Sequence, residues 1–266
     1  MTGPVPLSPV DLLLAATLLL LYGGLAVGLR LGLVRRLAVA SVRATVQLTL
    51  LGLVLVPVFA LASPWPVAAW CALMVVLAGR EATARTSRAV PGMFGGAVVA
   101  MALGGAGTAL FTTVVVLRLE PWWAPRYLVP LVGMVLGNAL TGVSLGLDRV
   151  LTGLDQRGDE VEALLALGAG RWEACRDVAG DAVRTGMIPI LNSMSAVGLV
   201  TIPGMMTGQI LGGTEPLQAA RYQLLILFVI AGAVAVGTTV AVLWAVGQVV
   251  DGDLRLRRDR IQRRSR

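Results

Sequence analysis

Long apolar runs alternate with short polar connections along most of the chain. Seven runs are apolar enough to cross, as helices, a hydrocarbon core about 30 Å thick. The predicted spans are residues 10–29, 37–62, 67–78, 92–117, 127–147, 187–211 and 222–248. The third run is short, and we expect its helix to continue through Glu81. The pattern predicts an all-α integral membrane protein, a single polytopic domain over residues 1–250.

The longest polar connection, residues 148–185, lies between the fifth and sixth spans and holds eight of the chain's fifteen acidic residues. Gly158 is expected to end the preceding helix, and Asp159 to cap a short helix in which Glu162 completes a capping box. The Gly-Ala-Gly sequence at 168–170 predicts a turn and then a second helix, because glycine tolerates left-handed backbone angles. The segment is therefore predicted to be a helix-turn-helix.

Apolar positions recur at helical spacing on both sides of this turn and form one apolar stripe. Two interpretations are open. The segment is either a folded loop that rests on its own helix ends, or a coupling element that transmits motion between the membrane domain and a soluble partner. The stripe consists of Val161, Leu164, Leu165, Trp172, Cys175 and Ala179.

Residue types that the chain lacks exclude several chemistries. All 22 basic residues are arginine, and neither lysine nor histidine occurs. A Walker A loop needs lysine, whereas zinc-protease, haem-ligating and Ser-His-Asp sites need histidine. We therefore expect no catalytic residues and no cofactor in this chain. If ATP drives the protein, ATP and Mg²⁺ are expected on a partner chain.

The arginines are distributed unevenly between the two ends of the predicted spans. Nineteen lie on one side, and Arg118, Arg126 and Arg221 lie on the other. By the positive-inside rule, this bias predicts an outer N-terminus and a cytoplasmic C-terminus. The basic tail, residues 251–266, holds seven arginines and is expected to lie on the anionic inner leaflet. The central polar segment is net acidic, which argues against nucleic acid as a partner.

Uncharged polar residues concentrate in the fifth and sixth spans, on either side of the central segment. Because each amide or hydroxyl needs a partner in hydrocarbon, these residues either join neighbouring helices or line a substrate pathway. Pro203 and Gly204 predict a kinked or unwound helix, which is a recurrent way to build a transport site. The methionines among the candidates offer soft thioether sulfurs, but no metal site is assigned. The pathway candidates are Asn138, Thr141, Ser144, Asn192, Ser195, Pro203, Met205, Met206, Thr207 and Gln209.

Four sequence runs within residues 137–223 carry a family resemblance: GNALTGVSLGLDR, EALLALGA, GMIPILNSM and IPGMMTGQILGG. They resemble the FetB-like iron-export permeases of bacterial ABC transporters, and plant aluminium-tolerance membrane proteins are similar. Glu162 and Ala163, followed by Gly168, also resemble the E-A-A-x-x-x-G coupling loop of ABC permeases. Leu164 stands in place of the second alanine of that loop, and its downstream I-x-L-P pattern is absent.

The resemblance implies a permease linked to iron homeostasis in the bacterial cytoplasmic membrane, working as a homodimer with a separate ABC-type ATP-binding subunit. Its coupling loop corresponds to Glu162 and Gly168, with Trp172 on the adjoining helix. Iron, another metal and a nucleotide sugar are all open as substrates. Two other functions are also open: a carrier or channel without an ATPase, and a membrane scaffold that recruits a soluble partner. The spans contain almost no carboxylate, which disfavours a proton-driven carrier.

Overall fold

The computed structural model describes residues 8–60 and 63–264. The start of the predicted domain, the end of its second predicted span and the end of the predicted tail lie outside these ranges. Within them, the regular structure is helical apart from one pair of two-residue strands. The α-helices are α1 (Pro9–Gly28), α2 (Val34–Ala60), α3 (Pro64–Ala84), α4 (Met93–Met101), α5 (Thr108–Phe111), α6 (Pro125–Gln156), α7 (Gly158–Ala166), α8 (Arg171–Ala174), α9 (Arg176–Ala196), α10 (Gly204–Leu211) and α11 (Pro216–Val249).

Six helical segments among the described residues are long and apolar enough to cross a membrane. They are Val10–Gly28, Val34–Ala60, Pro64–Ala84, Met93–Val116, Pro125–Gln156 and Pro216–Val249. The class predicted from the sequence, an all-α integral membrane protein, is therefore confirmed.

The chain forms two compact units. The first comprises Met1–Ala62 and Gly208–Glu215, and most apolar side chains of its helices α1 and α2 are exposed. The second comprises Ser63–Thr207 and Pro216–Arg266 and contains a core in which α6, α9 and α11 pack together. Exposed apolar side chains on helices of this length are typical of segments that lipid surrounds.

The core of the second unit is built on α6. Leu147, Leu151 and Leu154 are fully buried and recur at helical spacing along one face of that helix. Val234 and Val242 of α11 are buried as well. α6 continues beyond its predicted membrane end to Gln156, and its last turns contain buried residues such as Leu151 and Leu154. The core therefore extends into the polar segment that follows the fifth predicted span.

Two other spans differ in detail from the sequence prediction. α3 begins at Pro64, before its predicted start, and continues past Glu81 as expected. The segment Met93–Val116 is continuous but contains two π-helical stretches, Ala102–Gly107 and Thr112–Val116. The hydrophobic pattern does not predict these stretches, because widening a turn leaves the apolar composition unchanged.

The predicted sixth span, residues 187–211, is not one helix. α9 ends at Ala196, and α10 does not begin until Gly204. The sequence predicts a kink or unwound turn at Pro203. The break is longer than that and begins several residues before Pro203.

Backbone geometry explains the break. Gly198 has a φ of +82°, and its N–H donates to the carbonyl of Thr201 at 2.9 Å. The N–H groups of Val200 and Thr201 both donate to the carbonyl of Ala196, at 3.0 and 3.2 Å. These bonds close the end of α9 on itself. Pro203 has no N–H to donate, so the chain restarts as a helix only after it.

The basic tail folds back onto the second unit. Its strand β2 (Gln262–Arg263) pairs antiparallel with β1 (Arg88–Ala89), in the loop after α3. Beyond β2, the N–H of Arg264 donates to the carbonyl of Ser87 at 2.9 Å. Protein groups of the second unit therefore hold the described residues of the tail, and its location on the inner leaflet stays a prediction.

Candidate functional site

The turn predicted in the coupling segment (residues 148–185) is present. α7 ends just before Gly168, which has a φ of +92°. The N–H of Gly168 donates to the carbonyl of Leu165, and that of Ala169 to the carbonyl of Leu164, both at 3.0 Å. A glycine at this position avoids the strain that a side chain would bring. α8 then begins at Arg171, as predicted.

The predicted capping box at the start of α7 is wrong. Arg157 is the N-cap residue, no side chain caps the helix, and Asp159 lies within its first turn. The carboxylate of Asp159 instead forms an ion pair with Arg258 of the tail. Helix N-termini attract negative charge, so Asp159 is well placed in the first turn without acting as the cap.

Arg258 also joins the tail to the motif glutamate. Its Nε lies 3.2 Å from Oε1 of Glu162, so one guanidinium bridges two carboxylates of α7. Gly158 makes this approach possible, because a Cβ at that position would overlap the Arg258 guanidinium. The side chain of Glu162 stays half exposed. The candidate coupling residue is thus held by a residue nearly a hundred positions away.

Arginine–carboxylate pairs also tie the coupling segment to its neighbours. Asp155 accepts from Arg88 of β1 at 2.9 Å and from Arg263 of β2 at 3.4 Å. Arg157 donates to both carboxylate oxygens of Glu160 at 2.8 Å, which lowers the pKa of Glu160. Asp155 therefore joins the end of α6 to both strands, and Arg157 pairs with a carboxylate of α7.

Some side chains of the apolar stripe are buried in the protein, and others are exposed. Val161 and Cys175 are buried at 1% and 0% exposure, and Val178 of α9 is buried as well. Leu164, Leu167 and Trp172, which we call the coupling patch, are 38%, 85% and 50% exposed. One face of the helix-turn-helix therefore packs on the protein, and the other presents large apolar groups outward.

A cavity at the break between α9 and α10, called the polar cavity below, has several polar side chains in a mostly apolar wall. Its volume is about 420 Å³. Asn192 and Ser193 of α9, Thr201 and Pro203 of the break, and Gln223 of α11 line it. The Oε1 atom of Gln223 is buried and has no hydrogen-bond partner among the described residues. A buried acceptor without a donor is costly, so this atom is suited to a ligand or water that donates.

A second, smaller cavity of about 80 Å³ adjoins α6 and α9. Asn138 and Thr141 of α6 line it together with Ser193, which also lines the polar cavity. Ser193 therefore joins the two cavities along the face of α9. The nearby Thr238 of α11 is fully buried, and its hydroxyl has no partner among the described residues.

The structure brings only some of the predicted pathway residues together. Ser144 is buried and Ser195 exposed, and each donates at 3.0 Å to a carbonyl of its own helix, Thr141 or Leu191. Neither lines a cavity described above. Asn138, Thr141, Asn192 and Pro203 do line the two cavities.

The remaining candidates lie on α10. Met205 and Met206 are half-buried, and the hydroxyl of Thr207 donates to the carbonyl of Pro203 at 3.2 Å. Gln209 has a buried Oε1 without a partner among the described residues. Across residues 8–60 and 63–264, no group of three or more His, Cys, Asp or Glu side chains is placed to hold a metal ion. The polar side chains that line the two cavities carry uncharged amide and hydroxyl groups.

Sequence reasoning did not select Ser193, Thr201, Gln223 or Thr238 as pathway residues. Their common signal is a polar side chain inside, or at the edge of, an apolar run, which is expensive unless a partner or a cavity is present. Gln223 near the start of α11 carried that signal most clearly, since it is an amide within the stretch that spans the membrane. Only the packing of α9 against α11 shows that Ser193, Thr201 and Gln223 line the same cavity.

Comparisons with known proteins place the chain among membrane proteins. The profile of a family described as "Uncharacterised protein family (UPF0014)" matches residues 9–250. UPF0014 membrane protein slr1647 from Synechocystis sp. is 37% identical over 83% of each chain. Protein ALUMINUM SENSITIVE 3 from Arabidopsis thaliana is 32% identical over 74% of this chain and 70% of its own length. Probable iron export permease protein FetB from Escherichia coli is 31% identical over 52% of each chain. No solved structure matches with significant similarity.

Proposed function

We propose that this chain, which belongs to the UPF0014 family, is the membrane-spanning permease of an ABC-type exporter whose ATP-binding subunit is a separate chain. The name of its relative FetB, a probable iron export permease, supports a transport role and points to iron as the substrate. The absence of lysine from the sequence supports the separate ATPase, because a Walker A loop requires lysine.

The coupling patch is the observation that carries the proposal. A helix-turn-helix that buries one face on its own protein and exposes Leu167 and Trp172 on the other is suited to transmit a partner's movement. A loop that only covered helix ends would have its large apolar groups turned inward.

α9 supplies the path from the coupling patch to the cavities. It begins at Arg176, directly after the short helix α8 that carries Trp172, and runs without interruption to Ala196. A 21-residue helix is about 31 Å long at a rise of 1.5 Å per residue. Movement of the coupling patch is therefore passed along the helix that carries Asn192 and Ser193, in which Pro189 is the point where it can bend.

The chemistry of the cavities fits a substrate that neutral oxygen atoms can bind. Asn192, Thr201 and Gln223 contribute amide and hydroxyl oxygens to the wall of the polar cavity, and none of the residues that line it is charged. Hard metal ions accept such ligands, often with part of their hydration shell retained. Because neutral ligands hold a cation weakly, the site would release it readily, as export requires.

Paired glycine variants provide the test. The chain is reconstituted into vesicles with its cognate ATP-binding subunit, and ATP hydrolysis and movement of radioactive iron are measured. Gly168→Pro fixes φ near −65°, so the turn cannot form; we expect membrane insertion to be normal and both activities to fall to background. Gly170→Ala is the control, because Gly170 has a φ of −68° and no neighbouring atom within 4 Å of an added Cβ.

Three outcomes would contradict the proposal. If the purified chain alone moved iron down a gradient, it would be a carrier or channel. If wild-type chain bound the ATP-binding subunit without any flux, it would be a scaffold. Coupled transport by Gly168→Pro would show that the turn does not transmit the movement.

A further inference from the structure

An apolar groove of about 690 Å³ runs along the second unit, apart from the polar cavities. It lies between α3, the Met93–Val116 segment and α6. Val67, Leu128 and Val132 form its buried floor, with exposures of 0%, 6% and 1%. Its rim is exposed and includes Val76 and Leu110. The groove is therefore open to the surroundings of these helices along its length.

Small side chains create this space. Ala68 and Ala72 are one helical repeat apart on α3, and Ala102 and Ala106 are likewise spaced on the opposite wall. The second pair lies in the first π-helical stretch, which turns both alanines to the groove. Larger residues at these positions would close it. The walls are almost wholly apolar, so water gains no hydrogen bonds there.

Tryptophans surround one end of the groove. Trp65 belongs to the first turn of α3, and Trp122 and Trp123 lie in the loop before α6. Tryptophan is enriched at the boundary between hydrocarbon and head groups, where its ring is buried and its N–H stays hydrated. Arg126, three residues after Trp123, is exposed in the first turn of α6. This end of the groove thus has the side chains typical of the head-group level.

The length of the groove matches one leaflet. Trp65 and Val76 are eleven residues apart on α3, or about 17 Å at the helical rise of 1.5 Å per residue. Half of a hydrocarbon core about 30 Å thick is about 15 Å. A transmembrane helix of a second copy would need a contact surface about twice as long. The dimensions therefore fit a lipid chain better than a helix.

We propose that this groove is a binding site for one acyl chain of a membrane lipid, with the lipid head group at the level of Trp65, Trp122 and Trp123. Burial of the chain removes apolar groove surface from contact with disordered lipid and lets dispersion contacts form along both walls. The site is separate from the polar cavities and does not depend on the transported substrate.

Mass spectrometry of the intact full-length chain, released from mild detergent after extensive delipidation, tests the site. We expect wild type to retain one phospholipid per chain. Ala72→Phe fills the groove, so retention should fall at least about tenfold, a change of about 1.4 kcal/mol in binding free energy. Ala69→Phe is the matched control, because Ala69 is exposed on the same helix and does not line the groove. Equal retention by both variants would overturn the proposal.

Cys71, which lies in the groove wall, provides an independent readout. In a Cys175→Ala background, the rate at which a small maleimide labels Cys71 is measured in lipid-free chain and after phospholipid is added back. We expect the lipid to slow labelling several-fold in Ala69→Phe and wild type. Protection that instead appears without lipid and rises with protein concentration would show that a second copy covers the groove. Labelling that phospholipid does not change would exclude the site.

Discussion

At Gly158 the backbone of α7 leaves no room for a side chain, because the Arg258 guanidinium occupies that space. The atom in the way belongs to the far end of a flexible side chain. Gly158→Ala therefore displaces Arg258 and leaves α7 folded, since alanine is the better helix former by about 1 kcal/mol. We expect the tail, rich in arginine, to be cut several-fold faster by trypsin in this variant. Gly247→Ala, where nothing lies within 4 Å, should be cut at the wild-type rate.

If trypsin cut the tail of Gly158→Ala at the wild-type rate, Arg258 would not be what holds the tail. Ion pairs at a surface contribute only about 0–1 kcal/mol each, so a large change in melting temperature is not expected. Protease access is the suitable measurement, because it reports local opening of the tail and not global unfolding.

Cys175 is the residue whose chemistry burial alters most outside the membrane. It is fully buried, and loss of hydration raises the pKa of its thiol to about 11. At pH 8 roughly one thiol in a thousand is then ionised, against about a quarter for an ordinary cysteine of pKa about 8.5. In a Cys71→Ala background, a thiol reagent should react at pH 8 at least about a hundredfold more slowly with folded than with denatured chain. Equal rates would show that α8 and α9 do not bury this residue.

Residues whose environment is local were predictable, and residues defined by distant partners were not. The Gly-Ala-Gly sequence predicts a turn from local residues alone, so the turn at Gly168 was predicted correctly from the sequence. Arg258 gave no signal, because its carboxylate partners Asp159 and Glu162 are far away along the chain. Asp159 was wrongly predicted to cap the helix for the same reason, because the sequence does not show that its carboxylate pairs with Arg258 instead.

At the scale of the elements, the break between α9 and α10 can be tested by substitutions that should remove it. Replacing Gly198 and Pro203 together by alanine removes a left-handed residue and restores a backbone donor. Helix propensity then rises by about 4 kcal/mol over the break, enough to favour one continuous helix. We expect the polar cavity to close in this double variant. A cysteine at Thr201 should lose its reaction with a water-soluble, membrane-impermeant reagent that labels it in the wild-type background.

A control variant separates closure of the cavity from general misfolding. Ser195 lies on α9 two residues before the break and outside the cavity, so the labelling of Ser195→Cys should change little. If Thr201→Cys stayed fully reactive in the double variant, contacts with α11 and not the backbone of residues 197–203 would set the break.

Element lengths were predicted better than element interruptions. Average hydrophobicity marks α3, α6 and α11 as helices, because a span needs about twenty apolar residues whatever their order. The π-helical stretches and the early end of α9 depend on single hydrogen bonds, such as those to the Ala196 carbonyl, that leave composition unchanged. Pro203 indicated that the sixth run was irregular, but it marked the end of the break and not its beginning.

At the scale of the second unit, the tail brings several helix ends to one side. It follows α11 directly, pairs with β1 after α3, and bonds Asp155 at the end of α6. These three ends therefore lie on the same side of any membrane that the helices cross. α11 begins on the opposite side. The chain must cross once between Gln156 and Pro216, and the interrupted path through α9 and α10 is the segment available for that crossing.

This parity predicts seven crossings for the chain, with the interrupted helix as the sixth. The test uses single cysteines in a chain whose Cys71 and Cys175 are replaced by alanine, labelled from one face of sealed vesicles. Gln218→Cys and Glu120→Cys should label from the same face, and Gln262→Cys in the tail from the other. If Gln218→Cys and Gln262→Cys shared a face, the interrupted segment would only dip into the bilayer, and α9 could not carry a movement of the coupling patch across the membrane.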